Sequence, residues 1–97
     1  MNIIARCTLE KCWKKHPDSK SSLEAWYAEM TRDSFLTPQD IKERYGSADI
    51  LRDNRVVFNI KGKKYRLVVA FNYSKQIGFI RFVGTHSEYS KINAEEI

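Results

Sequence analysis

Three short apolar runs in the second half of the chain constrain its fold more than any other feature. They span residues 56–60, 65–73 and 77–83, and short polar segments separate them. Runs of β-branched and aromatic residues separated by turn-forming residues are typical of antiparallel hairpins. The sequence therefore predicts a small, mainly antiparallel sheet in this region.

The excess basic charge of the chain lies on this predicted sheet. Residues 1–54 carry nine basic and nine acidic side chains, whereas residues 55–91 carry eight basic side chains and one acidic side chain, Glu88. A one-sided positive surface favours a polyanionic partner such as a nucleic acid, or an acidic protein.

Length and composition limit the possible classes of protein. A chain of 97 residues is expected to form one domain, spanning 1–97, with one modest core. No apolar segment is long enough for a signal peptide or a membrane span, which predicts a cytoplasmic protein without membrane association. Cys7 and Cys12 match no metal-binding spacing, and His16 and His86 lie on different predicted elements, so no metal site is expected.

The first half of the chain has the periodicity of helices. Residues 2–5 are predicted to form a short strand at the edge of the sheet, and a helix that ends at His16, before Pro17, is predicted to follow. Asp18 or Ser21 is predicted to cap a second helix, with a capping box at residues 21–24. The two helices are expected to form a hairpin on one face of the sheet.

Two shorter helices are predicted further along the chain. Thr37, Pro38 and Asp40 have the pattern of a helix start. In the polar connection that follows this helix, Ile50 and Leu51 are expected to pack against the core. Near the end, Thr85 or Ser87 is expected to cap a short helix, and residues 93–97 are predicted to form a loose tail; these residues follow the third apolar run.

Alternation along the predicted strands assigns side chains to faces. Arg66 is expected to lie on the face opposite to the larger apolar face of its strand. On the third run, Arg81 is expected to share a face with Val83 and to lie opposite Ile80 and Phe82. Both faces of this run are apolar, so the pattern leaves open which face meets the helices.

Three segments of the sheet region together resemble one protein family. They are VFNIKG at residues 57–62, YRL at residues 65–67 and GTHSEY at residues 84–89. With these segments the chain closely resembles the HigB toxins of bacterial type II toxin–antitoxin systems, within the RelE-like group. The resemblance covers most of the chain. It implies an α+β, RelE-like microbial-RNase fold, in which an N-terminal helical hairpin packs on a small, mainly antiparallel β-sheet and a short C-terminal helix follows.

The resemblance also implies a function. HigB toxins are mRNA interferases, endoribonucleases that inhibit translation and growth, and most members cleave mRNA in the A site of the 70S ribosome. The implied reaction needs no metal or cofactor: the substrate 2′-hydroxyl attacks the phosphate and leaves a 2′,3′-cyclic phosphate and a 5′-hydroxyl. The implied partners are mRNA, the 70S ribosome and a HigA-type helix-turn-helix antitoxin.

Four candidate catalytic residues follow from the resemblance. Arg66 matches the family's strand arginine and is expected to bind the scissile phosphate, because a planar guanidinium matches two phosphoryl oxygens. His86 stands where many RelE relatives have arginine, which leaves open whether it is a cation or a general acid or base. Tyr89 is expected to stack on a base or orient a proton transfer, unless it only covers the sheet edge. Lys64 completes this set.

Other basic residues of this region are expected to contact RNA phosphates and to make binding salt-dependent. These RNA-binding candidates are Lys61, Lys63, Lys75 and Arg81. The alternative is that each of them is an ordinary solvated side chain. For Arg81 another alternative is a structural ion pair within the fold. Glu88 is expected to orient His86 or Arg66, and His16 is expected to be a packing residue.

Two other functions use the same basic sheet. One is a non-catalytic RNA-binding module that inhibits translation, and the other is an interaction protein whose basic surface binds an acidic chain. Mutation of Arg66 and His86 distinguishes them, since an enzyme would lose cleavage with little loss of binding.

Overall fold

A five-stranded sheet with the order β1-β5-β4-β3-β2 organises the protein. The computed structural model describes all residues, 1–97. The strands are β1 (Asn2–Ile4), β2 (Asp49–Ile50), β3 (Arg55–Ile60), β4 (Tyr65–Asn72) and β5 (Ile77–Thr85). The pair β1 and β5 is parallel and the other neighbouring pairs are antiparallel. The predicted α+β fold with a mainly antiparallel sheet is therefore confirmed, and so is the edge position of the first strand.

Three helices cover one face of this sheet. They are α1 (Arg6–Lys15), α2 (Lys20–Arg32) and α3 (Pro38–Arg44), and a 3-10 turn, Pro17–Ser19, joins α1 to α2. A fourth helix, α4 (His86–Tyr89), follows β5, and its Tyr89 packs on the opposite face. Leu9 of α1 and Leu23 of α2 are fully buried in one cluster with Leu67 and Val69 of the sheet. Burial of each such side chain contributes about 1.5–3 kcal/mol. None of the helices is both long and apolar enough to cross a membrane.

Local sequence rules correctly place three of the helix ends. α1 stops at His16, as Pro17 predicts, and Thr37 and Thr85 cap α3 and α4 in capping boxes. The predicted cap of the second helix is wrong, because Ser21 lies inside α2 and no side chain caps that helix. Its place is taken by the 3-10 turn, which continues directly into the helix backbone.

A β-bulge changes the predicted faces of β5. Val68 pairs with Phe82 but Val69 pairs with Ile80, so Arg81 is the extra residue of the bulge. Because the bulge resets the alternation, Ile80 packs in the helix-side core while Phe82 packs on the opposite face. The prediction that Ile80 and Phe82 share a face is therefore wrong.

The opposite face of the sheet has a small apolar cluster of its own. Val57 and Val68 are fully buried there, and Ala94 covers them at 7% exposure. Arg55 donates two hydrogen bonds, of 3.1 and 2.7 Å, to the carbonyl oxygen of Ile97. The predicted loose tail at residues 93–97 is therefore wrong: the segment packs because these two valines need an apolar cover.

The connection between α3 and β3 contains the two-residue strand β2, which the sequence pattern did not indicate. Ile50 is 41% exposed, so the prediction that it packs against the core is wrong. Leu51 packs against the small cluster on the opposite face, and Ala48 is the residue of this connection that the main core buries. Pairing with β3 decides these positions, since it turns alternate side chains to alternate faces.

Candidate functional site

Arg66 points away from the larger apolar face of its strand, as predicted, and because that face packs against α1 and α2, Arg66 lies on the sheet face opposite to these helices. Its side chain is 15% exposed, and its Nη1 lies 3.5 Å from Oδ2 of Asp49. The guanidinium carbon lies 5.1 Å from the centre of the Tyr89 ring. The buried Nε has no hydrogen-bond partner within the protein. A guanidinium group beside an aromatic ring on a basic sheet face is suited to binding a planar or tetrahedral oxyanion.

The backbone around Arg66 explains how Tyr89 reaches it. Arg66 pairs across the sheet with Gly84 of β5, and α4 begins two residues later. The capping box fixes this helix: Thr85 N–H donates to Glu88 at 2.9 Å, and Glu88 N–H donates to Oγ1 of Thr85 at 3.1 Å. The helix therefore turns back over the sheet, where the Tyr89 ring also lies 6.3 Å from the ring of Phe82.

Gly84 permits this close return of the chain. A Cβ atom at this position would lie 2.9 Å from side-chain atoms of both Phe82 and Glu88. Real Cβ atoms do not approach neighbours this closely, so a larger residue would displace the ring or the capping carboxylate. The glycine in the GTHSEY segment is thus explained by packing space.

His86 is the first residue of α4 and its side chain is exposed. Its backbone N–H donates to the carbonyl oxygen of Lys64 at 3.3 Å. This bond joins α4 to the turn between β3 and β4. The structure therefore brings Arg66, His86 and Tyr89 together at one end of the sheet.

Two of the three lysines in the β3–β4 turn bind a carboxylate of the helical layer. Lys64 Nζ donates to Oδ2 of Asp18 at 2.5 Å, and Lys61 Nζ lies 3.3 Å from the same oxygen. The Tyr65 hydroxyl donates to Oδ1 of Asp18 at 2.5 Å. The lysine ammonium groups and this hydroxyl hold the pKa of Asp18 well below its usual range, and the same contact raises the pKa of Tyr65 to about 12. The structure thus directs the ammonium group of Lys64 toward the helical layer.

Asp18 is a residue that sequence reasoning missed, since its position after Pro17 suggested only a helix cap. No local pattern marks its role, because its partners lie 43 to 47 residues away along the chain. Asp49, beside Arg66, was missed for the same reason: its pairing with Val57 across the sheet places it there.

The remaining basic candidates are exposed and spread along the sheet. Lys63 lies in the β3–β4 turn, and Lys75 lies in the turn at the other end of β4. Arg81 projects from the bulge, with its guanidinium carbon 5.5 Å from the centre of the Phe79 ring. The six residues between Arg66 and the end of β4 span about 20 Å. The structure therefore does not place Lys75 near Arg66.

Glu88 and His16 face the helical layer. Beyond its bond to Thr85, Glu88 lies 3.6 Å from Nζ of Lys15 and 3.9 Å from Nε2 of His16. The backbone N–H of Thr85 is the main cause that lowers the pKa of Glu88. The predicted contact of Glu88 with His86 or Arg66 is not formed. The His16 ring packs 5.4 Å from the ring of Tyr65, in agreement with its predicted packing role.

The structure contains no group of three or more His, Cys, Asp or Glu side chains that could hold a metal ion.

Comparisons with known proteins agree on one family. Residues 19–92 match the family model of HigB_toxin, the RelE-like toxic component of a toxin–antitoxin system. The chain is 30% identical to the mRNA interferase toxin HigB of Escherichia coli K12, over 97% of this chain and 92% of that protein. It is 24% identical to mRNA interferase HigB of Escherichia coli O6:H1, over 95% of this chain and 91% of that protein. The chain therefore belongs to the HigB family of RelE-like toxins of toxin–antitoxin systems.

Proposed function

We propose that this toxin is an mRNA interferase, an endoribonuclease that inhibits translation by cutting mRNA. Its relatives of 24% and 30% identity carry that name. The observation that carries the proposal is the half-buried Arg66 guanidinium, which lies beside the Tyr89 ring on the face opposite to the helices. Around it lies the basic sheet that the charge distribution of the sequence indicates.

In the proposed reaction the 2′-hydroxyl of the substrate attacks the adjacent phosphate and displaces the 5′-oxygen of the next nucleotide. The products are a 2′,3′-cyclic phosphate and a 5′-hydroxyl, and no metal ion is required. Arg66 binds the phosphoryl oxygens and stabilises the charge that develops on them. The Tyr89 ring keeps the guanidinium plane in place, and it offers a face on which a base can stack.

The proposed proton carrier is His86. It is exposed at the first position of α4. An imidazole has one ring nitrogen that can donate a proton and one that can accept a proton, as a general acid or base must. Glu88, the acid nearest in sequence, is occupied by the Thr85 cap, which leaves His86 as the better general acid or base.

The exposed cations are proposed to bind RNA phosphates along the sheet. Lys63, Lys75 and Arg81 are free to do so, since their side chains are exposed. Lys61 and Lys64 would first have to exchange Asp18 for a phosphate. Each phosphate neutralised in this way adds to the salt dependence of binding.

The proposed setting is the cytoplasm of a bacterium, with the mRNA held in the A site of the 70S ribosome. The proposed antitoxin is a HigA-type protein with a helix-turn-helix domain. Membership of a toxin–antitoxin family supports an antitoxin partner, and the basic sheet supports an RNA substrate.

The test is cleavage of a reporter mRNA with and without programmed 70S ribosomes, for the wild type, Arg66→Ala and His86→Ala. We expect cuts that require ribosomes, end in a cyclic phosphate and disappear in both variants. RNA that stays bound but uncut by folded wild-type protein would overturn the enzymatic proposal and favour a non-catalytic RNA-binding inhibitor.

A further inference from the structure

We infer that Asp18 is a positioning residue of this toxin, whose carboxylate holds the β3–β4 turn, and with it the start of α4, in the arrangement that cleavage uses. The inference rests on the proposed function, because its consequence is a rate of RNA cleavage. Asp18 itself touches neither Arg66 nor His86 and acts through the turn.

Three donors converge on this one carboxylate from the turn and the start of β4. Lys61 and Lys64 donate to Oδ2 at 3.3 and 2.5 Å, and the hydroxyl of Tyr65 donates to Oδ1 at 2.5 Å. The backbone on both sides of Asp18 is held in place. Pro17 precedes it in the 3-10 turn, and Ser19 after it is fully buried and donates to the carbonyl of His16 at 2.7 Å.

The turn itself needs such a partner. Lys61 and Gly62 both have positive φ angles, of 54° and 67°. A lysine in this left-handed region costs about 1–2 kcal/mol, which the surrounding contacts must offset. Three of the four residues at positions 61–64 are lysines, so their charges also repel one another. A carboxylate that binds two of these ammonium groups counteracts both effects.

The turn connects directly to the proposed site. The carbonyl oxygen of Lys64 accepts the backbone N–H of His86, and Tyr65 pairs with Thr85, the cap of α4. Arg66 follows Tyr65 along β4. The residues that Asp18 holds are therefore bonded to His86 on one side and precede Arg66 on the other.

This arrangement has opposite consequences for RNA binding and for cleavage. Asp18 binds the ammonium groups of Lys61, an RNA-binding candidate, and Lys64, a catalytic candidate, which weakens the attraction of the turn for a polyanion. It also holds the turn that carries the hydrogen bond to His86. Loss of its charge is therefore expected to leave RNA binding unchanged or stronger while it slows cleavage.

The experiment compares Asp18→Asn with the wild type and with Asp33→Asn. The asparagine side chain keeps the volume and an acceptor for Tyr65 but lacks the charge. Asp33 is a matched control because it pairs with the adjacent Arg32, away from the turn, and gives the same change in net charge. The first measurement is the cleavage rate at a saturating concentration of programmed ribosomes. The second is the Kd for a single-stranded RNA, and the third is the rate at which Lys61 and Lys64 are acetylated in the free protein.

For Asp18→Asn we expect cleavage to slow roughly tenfold through misplacement of the reacting groups. The Kd for RNA is expected to stay equal or fall, and Lys64 is expected to acetylate faster. Asp18→Glu, which keeps the charge, is expected to recover part of the rate, and Asp33→Asn is expected to match the wild type in cleavage and acetylation.

Two results would overturn the inference. One is an Asp18→Asn variant that cleaves as fast as Asp33→Asn. The other is a proportional loss of cleavage and RNA binding, which would make Asp18 a residue of general stability. A folded wild type that cuts no RNA on ribosomes would instead overturn the proposed function, and the inference with it.

Discussion

The guanidinium of Arg66 and the ring of Tyr89 lie 5.1 Å apart, on elements that meet only because α4 folds back over β4. The contact orients a side chain whose Nε has no hydrogen-bond partner in the protein. Such cation–π contacts contribute about 0.5–2 kcal/mol, depending on how far they are removed from water. Tyr89 thus has a role in placing Arg66 that does not depend on its hydroxyl group.

Substitution of Tyr89 separates the ring from the hydroxyl. Because the ring holds the guanidinium, Tyr89→Ala is expected to slow cleavage roughly 2- to 30-fold, the rate equivalent of about 0.5–2 kcal/mol. Tyr89→Phe keeps the ring and is expected to cleave at nearly the wild-type rate. Single-turnover cleavage on programmed ribosomes measures both. Equal losses in the two variants would show that the hydroxyl group carries a proton or binds the substrate.

Gly84 is expected to be intolerant of a side chain. Gly84→Ala places a Cβ 2.9 Å from atoms of Phe82 and Glu88, so the ring or the α4 cap must move. Overpacking of this kind costs about 1–3 kcal/mol in the free energy of unfolding. Chemical denaturation measures the loss. Gly46→Ala is the matched control, since its Cβ would meet no atom within 4 Å and φ is not positive there; similar stabilities of the two variants would contradict the prediction.

Low pH is expected to reduce the contribution of Asp18 to the stability of the fold. Its lowered folded-state pKa means that it stabilises the fold above its unfolded pKa of about 3.9, and that this stabilisation is lost as pH falls toward the folded value. The Tm of the wild type should therefore exceed that of Asp18→Asn by a constant amount above about pH 5, and the difference should shrink below about pH 4. A difference that stays constant from pH 7 to pH 3 would contradict the ionic contacts.

Alkaline titration tests the same contact through its hydrogen-bond donor, Tyr65. The hydrogen bond to Asp18 raises the pKa of Tyr65 to about 12, so this contact stabilises the fold below the unfolded tyrosine pKa and is lost as pH rises through about 12. In Asp18→Asn, one tyrosine is expected to ionise at lower pH, as measured by absorbance near 295 nm. Tyr65→Phe identifies the residue, because it removes that transition.

Substitution of Ala94 tests whether residues 93–97 pack on the sheet face opposite to the helices. A charge introduced by Ala94→Asp would be buried against Val57 and Val68, at an expected cost of about 1–3 kcal/mol in the free energy of unfolding. Glu96→Ala, at an exposed position of the same segment, is expected to change the stability little. Equal unfolding midpoints in urea for the two variants would mean that residues 93–97 do not pack on the sheet in solution.

Features that depend on neighbouring residues were predictable from the sequence. Pro17 ends α1 because it disfavours helical geometry in the residue before it, and Thr37 starts α3 because its hydroxyl accepts a backbone N–H within the same turn. Alternation along β4 correctly placed Arg66 opposite the larger apolar face of that strand, since the strand is regular there. The segments VFNIKG, YRL and GTHSEY, by their joint resemblance to the HigB toxins, also indicated the family.

Features that depend on pairing between distant segments were decided by the tertiary structure alone. The bulge at Arg81 arises from the register between β4 and β5, and alternation within β5 carries no trace of it. The partners of Asp18 lie 43 to 47 residues away, so a local pattern suggests only a cap. Residues 93–97 pack because Val57 and Val68 face the same way across two paired strands. Hydrogen bonds within a turn are encoded locally, whereas burial and ion pairing depend on which surfaces the completed fold brings together.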